Sequence, residues 1–245
     1  MKRNRPSLKD SFEPRLASQL RQLSAQISAA SLFAVATALV PGPFGILPTT
    51  VVFAEDLASK AAGVLPAPIV EIRSTLDGVI AAVEEFKGDK RLEQRREKLR
   101  SVIRPRFDFD EMARRSLGPE WNKRTAAEQA DFVSVFSELL ASTYLARVET
   151  VTSDMVTVDK EKVEMPAEPG DVAKAIVRTS VTNKGDTFPI DYRLQYVNGQ
   201  WKVYDVIIEN IGLVANYRNE FAGIIRRDQF SGLMEKLREK AGKLA

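Results

Sequence analysis

An aspartate and a tyrosine brought together can act as base and proton donor, and this chain places Asp191 beside Tyr192 and Tyr204 beside Asp205. Asp205 or Asp191 with Tyr192 or Tyr204 would suit an isomerase or a dehydratase. Other chemistries are excluded by composition. The 245 residues contain no histidine and no cysteine. Thiol nucleophiles, disulfides, imidazole or thiolate metal sites and a Ser-His-Asp triad are therefore impossible. The second option is binding rather than reaction. Phe188, Ile190, Tyr192, Leu194 and Tyr196 recur every second residue, so on a strand they share one face. Five large apolar or aromatic side chains on one sheet face must be covered. They wall a hollow or they pack a solid core, and the pattern allows both.

The strand that carries them is well marked. Asn198-Gly199 separates it from a second apolar-alternating run, Trp201 to Glu209. Both residues of such a turn need positive φ, which Asn and Gly tolerate. On this second strand alternation places Asp205 with Trp201, Val203 and Ile207, where a carboxylate needs a donor or a raised pKa. A role for Asp205 as an ion pair or a cap competes with catalysis. Trp201 and Trp121 read as large buried anchors whose indole N–H needs an acceptor.

Helices precede the sheet. Ile69, Ile72, Leu76, Val79, Ile80, Val83 and Phe86 have helical spacing behind Pro68. Lys90 to Ile103 reads as a second helix. Between Lys87 and Arg106 basic residues outnumber acidic ones nine to three, as a solvated face or as a patch for anionic groups. Asp108 to Leu117 is a short helix stopped by Gly118-Pro119. Thr125-Ala126-Ala127-Glu128 is a capping box that starts a long helix running to about Thr150. Phe132, Phe136, Leu140 and Tyr144 form its apolar stripe, wide enough to lie across a sheet. Val151 to Met165 and Val172 to Thr182 read as strands, with Asn183 to Asp186 a hairpin turn. Leu213, Val214, Tyr217, Phe221, Ile224 and Ile225 form an amphipathic helix, followed by a last one through Phe230 and Leu237. The fold class expected is α+β: a four-stranded antiparallel meander packed by helices around an apolar cavity, in an NTF2-like arrangement.

The N-terminus sets the compartment. Of 36 basic and 33 acidic residues, six and two lie in residues 1–54, leaving 30 and 31. The remaining body is close to neutral, which argues against phosphate-driven nucleic-acid binding. No charged residue occurs between Arg21 and Glu55. Ile27 to Val40 has the length of a signal-peptide apolar region behind a basic start. Val52-Phe53-Ala54 is a candidate cleavage site and Ala36-Thr37-Ala38 a second. Pro41, Gly42, Pro43 and Pro48 interrupt the run before it could comfortably span a membrane. The expected organisation is an export leader at 1–54, a linker at 55–67 and one domain at 68–245.

The chain also resembles a known family. Gly199-x-Trp201-Lys202-Val203-Tyr204-Asp205-Val206, continuing through Glu209, Leu213-Val214-x-Asn216-Tyr217-Arg218 and Phe221, is similar to the signature of the MlaC family, periplasmic phospholipid-binding proteins of the toluene-tolerance type. Phe107-Asp108-Phe109-Asp110-Glu111-Met112-Ala113 and Leu117-Gly118-x-x-Trp121 resemble its central helices. The likeness runs from about Pro68 to Leu237 and extends to hopanoid-associated relatives. Asn210 and Gly212 depart from it, standing where the family usually has Gly and Ser. The resemblance implies a periplasmic phospholipid carrier between inner and outer membranes. It implies exchange with an inner-membrane substrate-binding-domain protein of an ABC transporter and with an outer-membrane lipoprotein complex. It implies no catalysis, metal or cofactor, the phospholipid being cargo, and we expect a monomer. The expected cavity walls are the strand face Phe188, Ile190, Tyr192, Leu194 and Tyr196, the stripe Phe132, Phe136, Leu140 and Tyr144, and Val203, Leu213 and Tyr217.

Overall fold

The computed structural model describes residues 65–168, 170–183 and 185–244. The expected leader and most of the expected linker lie outside the described residues. Helix α1 spans Pro68–Glu85, α2 Leu92–Ile103, α3 Phe109–Leu117 and α4 Ala126–Val148. Strands β1 (Val156–Glu164), β2 (Lys174–Asn183), β3 (Asp186–Val197), β4 (Gln200–Ile208) and β5 (Ile211–Gly212) follow. Helix α5 (Leu213–Leu244) closes the chain and is interrupted at Gln229, whose φ of 61° is not helical. Among the described residues no helix is long and apolar enough to cross a membrane.

Local chemistry explains most boundaries. The Thr125 hydroxyl accepts from the Glu128 amide and the Glu128 carboxylate accepts from the Thr125 amide, the reciprocal capping box expected. Asp108 caps α3 through the Glu111 amide at 3.0 Å. Gly118, at φ 57°, ends it. Helix α1 is capped from another element: the Ile69 amide donates to the Glu161 carboxylate of β1 at 2.7 Å. That contact ties α1 to the sheet edge.

The sheet is an antiparallel meander in the order β1-β2-β3-β4-β5. Asn198 and Gly199 turn β3 into β4 with φ of 53° and 77°. The expectation of four strands misses β5. A second tight turn, Glu209-Asn210, with φ of 49° and 68°, folds Ile211 back against Ile208. Asn210 therefore occupies a left-handed position, which glycine adopts freely and asparagine tolerates.

Two bulges reset which side chains face inward. In β4 the register jumps so that Val203 opposes Leu194 and Asp205 opposes Arg193. The inner face of β4 therefore reads Trp201, Val203, Val206, Ile208. Asp205 and Ile207 lie on the other side, contrary to plain alternation, because the extra residue inverts the period. In β1 a shift between Val158 and Lys160 turns Glu161 and Val163 inward. The bulge, the inward Glu161 and Lys160 and Lys162 together discourage edge-to-edge pairing of β1.

Three apolar clusters hold the elements. Met112, Leu117, Phe132, Phe136, Tyr217, Phe221 and Leu233 join α3, α4 and α5. Ile72, Val177, Leu194, Trp201, Val203 and Leu213 join α1, the sheet and the start of α5. Val79, Val83, Leu99 and Leu145 join α1, α2 and α4. The basic run around α2 is less free than its composition implies. Arg95 and Arg96 pair with Glu149 at 3.5 and 2.8 Å, Arg100 pairs with Glu138 at 3.6 Å, and Arg106 pairs with Glu71.

Candidate functional site

The inner sheet face is the site the sequence points to, and the register sets which strand residues share it. Phe188, Ile190, Tyr192, Leu194 and Tyr196 oppose Val181, Thr179, Val177, Ala175 and the end of β4 on one face. Packing along this face is uneven. The end near the Asn198-Gly199 turn is closed: Ala175 is 2% exposed, and Leu194, Val203 and Trp201 are 0%. Trp201 is also held by its indole N–H, which donates to the Pro66 carbonyl at 2.6 Å. Towards the opposite end, Val158, Val181, Phe188 and Ile190 are only half-buried.

Tyr192 sits between these ends. Burial pushes its phenol up to about 12, against the opposing pull of a hydrogen bond with Thr179. The residue as a whole is half-buried. Its cross-strand neighbours Val177 and Val206 are both buried. Tyr217 differs: its phenol is also raised by burial, but it is 1% exposed, with its ring 5.2 Å from Phe136 and 5.3 Å from Phe221.

The expected wall residues fall into two groups rather than one. Phe132, Phe136, Leu140 and Tyr217 belong to the helix cluster, where Phe132 and Phe136 stack at 5.6 Å and both meet Phe221. Ile190, Tyr192, Leu194, Tyr196, Val203 and Leu213 belong to the sheet cluster. Tyr144, half-buried, packs against both and joins them. Phe188 stands beyond both, opposite Val181. Sequence reasoning missed Ile69, Ile72 and Leu76 of α1 as the cover of this face, and Phe107 as a second residue touching both clusters. It also missed Val206 and Ile208, which only the bulge brings inward.

The acid–base pairs do not converge on this face. Tyr192 opposes Val206, whereas Asp205 lies on the reverse side with Arg193. Asp191 pairs there with Arg178 at 3.3 Å. The Arg115 guanidinium stacks 4.3 Å over the Tyr204 ring. Asp205, 4% exposed, accepts from the Val214 amide at 3.0 Å and pairs with Arg193 at 3.6 Å. Burial raises its pKa despite these partners. It caps α5, the structural role weighed against catalysis. Gly212 packs close to this cap: a Cβ there would stand 3.2 Å from the Asp205 carboxylate. Asp205→Ala should destabilise the protein by about 1–2 kcal/mol, read by urea unfolding, through loss of the cap. An unchanged unfolding midpoint would contradict that role.

A second polar group is buried where α5 meets α4. Glu220 is half-buried, neither of its carboxylate oxygens has a hydrogen-bond partner among the described residues, and burial pushes its pKa up to about 7 against the opposing charge of Lys240. In the unfolded chain a glutamate titrates near about 4.3. Folding therefore disfavours the ionised form, and stability falls as pH rises from about 4.3 to about 7. Glu220→Gln should raise the Tm at about pH 8 and leave it unchanged near pH 4. Equal Tm values for the two proteins at pH 8 would show that the carboxylate is solvated.

Comparison with known proteins follows this geometry. The family model for MlaC protein matches residues 73–239. A toluene tolerance protein, ttg2D, of Pseudomonas putida is 27% identical over 132 residues, covering 53% of this chain and 59% of that protein. This chain thus spans about three fifths of the length of the Pseudomonas protein. The intermembrane phospholipid transport system binding protein MlaC of Haemophilus influenzae is 20% identical over 200 residues, covering 78% of this chain and 90% of its own. Among solved structures, the phospholipid-binding protein from Ralstonia solanacearum, in complex with a phospholipid, is 30% identical with a TM-score of 0.57, covering 71% of this chain and 96% of that one.

Proposed function

We propose, from the premise that this chain belongs to the MlaC protein family, that it is a periplasmic phospholipid carrier whose acyl chains lie against the inner sheet face. The observation that carries this is the inner sheet face itself, where Tyr192, Ile190 and Tyr196 lie among apolar neighbours and are only half-buried, as a face that takes up acyl chains would be. The half-buried Val158, Val181, Phe188 and Ile190 support an open end away from Trp201. Helix α1, Phe107 and Tyr144 supply the opposite wall. The tightly packed rings of Phe132, Phe136 and Tyr217 support that wall from behind.

The energetics suit carriage rather than storage. Each CH₂ kept from water contributes about 0.8 kcal/mol, so two chains of about sixteen carbons represent roughly 25 kcal/mol. A bilayer supplies the same gain, so transfer in either direction is close to neutral. Direction then comes from partners: a substrate-binding-domain protein of an inner-membrane ABC transporter on one side and an outer-membrane lipoprotein complex on the other. The Ralstonia relative, crystallised with a phospholipid, supports the cargo class.

Vesicle exchange tests the reading. The protein should move fluorescent phospholipid from donor to acceptor vesicles at a rate proportional to its concentration, with no chemical change in the lipid. Lipid returned hydrolysed or isomerised would favour an enzyme. No transfer and no binding would end the carrier reading.

A further inference from the structure

Phe107 reaches the sheet in an unusual way. It forms a parallel bridge with Val203 of β4, beyond the reach of β5, which pairs only with Ile207 and Ile208. The Asp108 amide donates to the Val203 carbonyl at 2.8 Å. Bridged residues direct their side chains to the same side of a sheet, and the next residue points to the other. The Phe107 ring therefore stands on the inner face with Val203, and Asp108 turns to the reverse face. There one Asp108 oxygen accepts from the Gln195 side-chain amide at 2.9 Å, while the other caps α3.

The preceding residue is anchored as well. The Arg106 guanidinium donates to the Trp201 carbonyl at 2.7 Å and to the Thr75 hydroxyl at 3.2 Å, and it pairs with Glu71. Phe107 thus sits between two residues that tie the connection from α2 to α3 onto β3, β4 and α1. A ring carried on backbone tethered at both neighbours cannot swing aside. Its place along the inner face is also defined. Val203 opposes Leu194 in the row where that face is closed, both being 0% exposed. From this row Phe107 packs against the sheet cluster and the helix cluster and stacks on Phe109 at 5.8 Å.

We propose that Phe107 is the stop at the inner end of the lipid site, a specificity-determining residue that sets the longest acyl chain the protein carries. This assignment rests on the carrier reading above. An acyl chain entering at the half-buried end passes Ile190 and Tyr192 and ends against the Phe107 ring, over the row of Leu194 and Val203. Chains up to that length exchange with a bilayer near neutrality, because each CH₂ is covered in both. A longer chain leaves its surplus carbons in water. Each such CH₂ lowers loading about fourfold relative to the bilayer. The tethers at Arg106 and Asp108 make the limit steep, because the ring has no free backbone on which to yield.

The test is competitive loading. The full chain is equilibrated with vesicles of equimolar phosphatidylcholines whose acyl chains run from about 12 to about 24 carbons, so that each step in length carries its own transfer energy. Bound lipids are then extracted and quantified by mass spectrometry. The wild-type protein should load all lengths alike up to a limit, then lose about fourfold for each further CH₂ that meets the stop. Phe107→Leu, which shortens the stop, should move the limit to longer chains. Phe107→Trp, which extends it, should move the limit to shorter ones. A residue that only packs would change stability and total loading with the limit in place. A limit that stays put in either folded variant overturns the stop and leaves the carrier reading standing. A wild-type profile without any limit does the same, and it needs no variant to fold. No lipid of any length bound overturns the carrier reading and the stop with it.

Discussion

Tyr192→Glu is expected to strip phospholipid from the protein while leaving it folded. Tyr192 lies mid-face, between the closed row at Leu194 and the half-buried Ile190. An empty hollow holds water, which can solvate a carboxylate, so folding survives. A loaded hollow cannot: an unpaired charge against acyl chains costs several kcal/mol, on the order of a hundredfold or more in affinity. Phosphorus per mole of purified protein measures the loss and circular dichroism measures the fold. Undiminished lipid would remove Tyr192 from the wall. An unfolded variant would make this face solid core.

Phe136→Ala is expected to do the reverse. Phe136 is 0% exposed and meets Phe132, Tyr217 and Phe221 at 5.2 to 5.6 Å. Removing such a ring costs about 3–5 kcal/mol. For a protein of this size that lowers the Tm by about 10 °C. Lipid bound per folded molecule should not change. A variant with normal Tm that had lost its lipid would place Phe136 at the ligand and make the helix stripe a contact wall.

This contrast shows what sequence could and could not deliver. Alternation in β3 was legible because nothing interrupts it between Phe188 and Tyr196, and Asn198-Gly199 announced its own geometry through positive φ. The capping box at Thr125 was legible for the same reason: it is decided within a few residues. Asp205 was misplaced because a bulge inverts alternation and leaves no mark in composition. Its partner, the Val214 amide, lies nine residues away across a turn built on Asn210. The α1 cap was invisible because its acceptor, Glu161, comes from β1. The two-cluster arrangement was equally hidden. The spacing of Phe132, Phe136, Leu140 and Tyr144 defines one helix face, but only tertiary packing assigns the first two to other helices and the last to the sheet as well. The basic run at Lys87 to Arg106 misled for a related reason: Glu149, Glu138 and Glu71, which offset it, come from other helices.

Native mass spectrometry of the protein purified from an exporting cell tests the central claim most directly. The account predicts a mature chain carrying a whole phospholipid at one per molecule, released intact on unfolding and absent from the Tyr192→Glu variant. A chain of bare polypeptide mass, even when exposed to phospholipid vesicles beforehand, would contradict it.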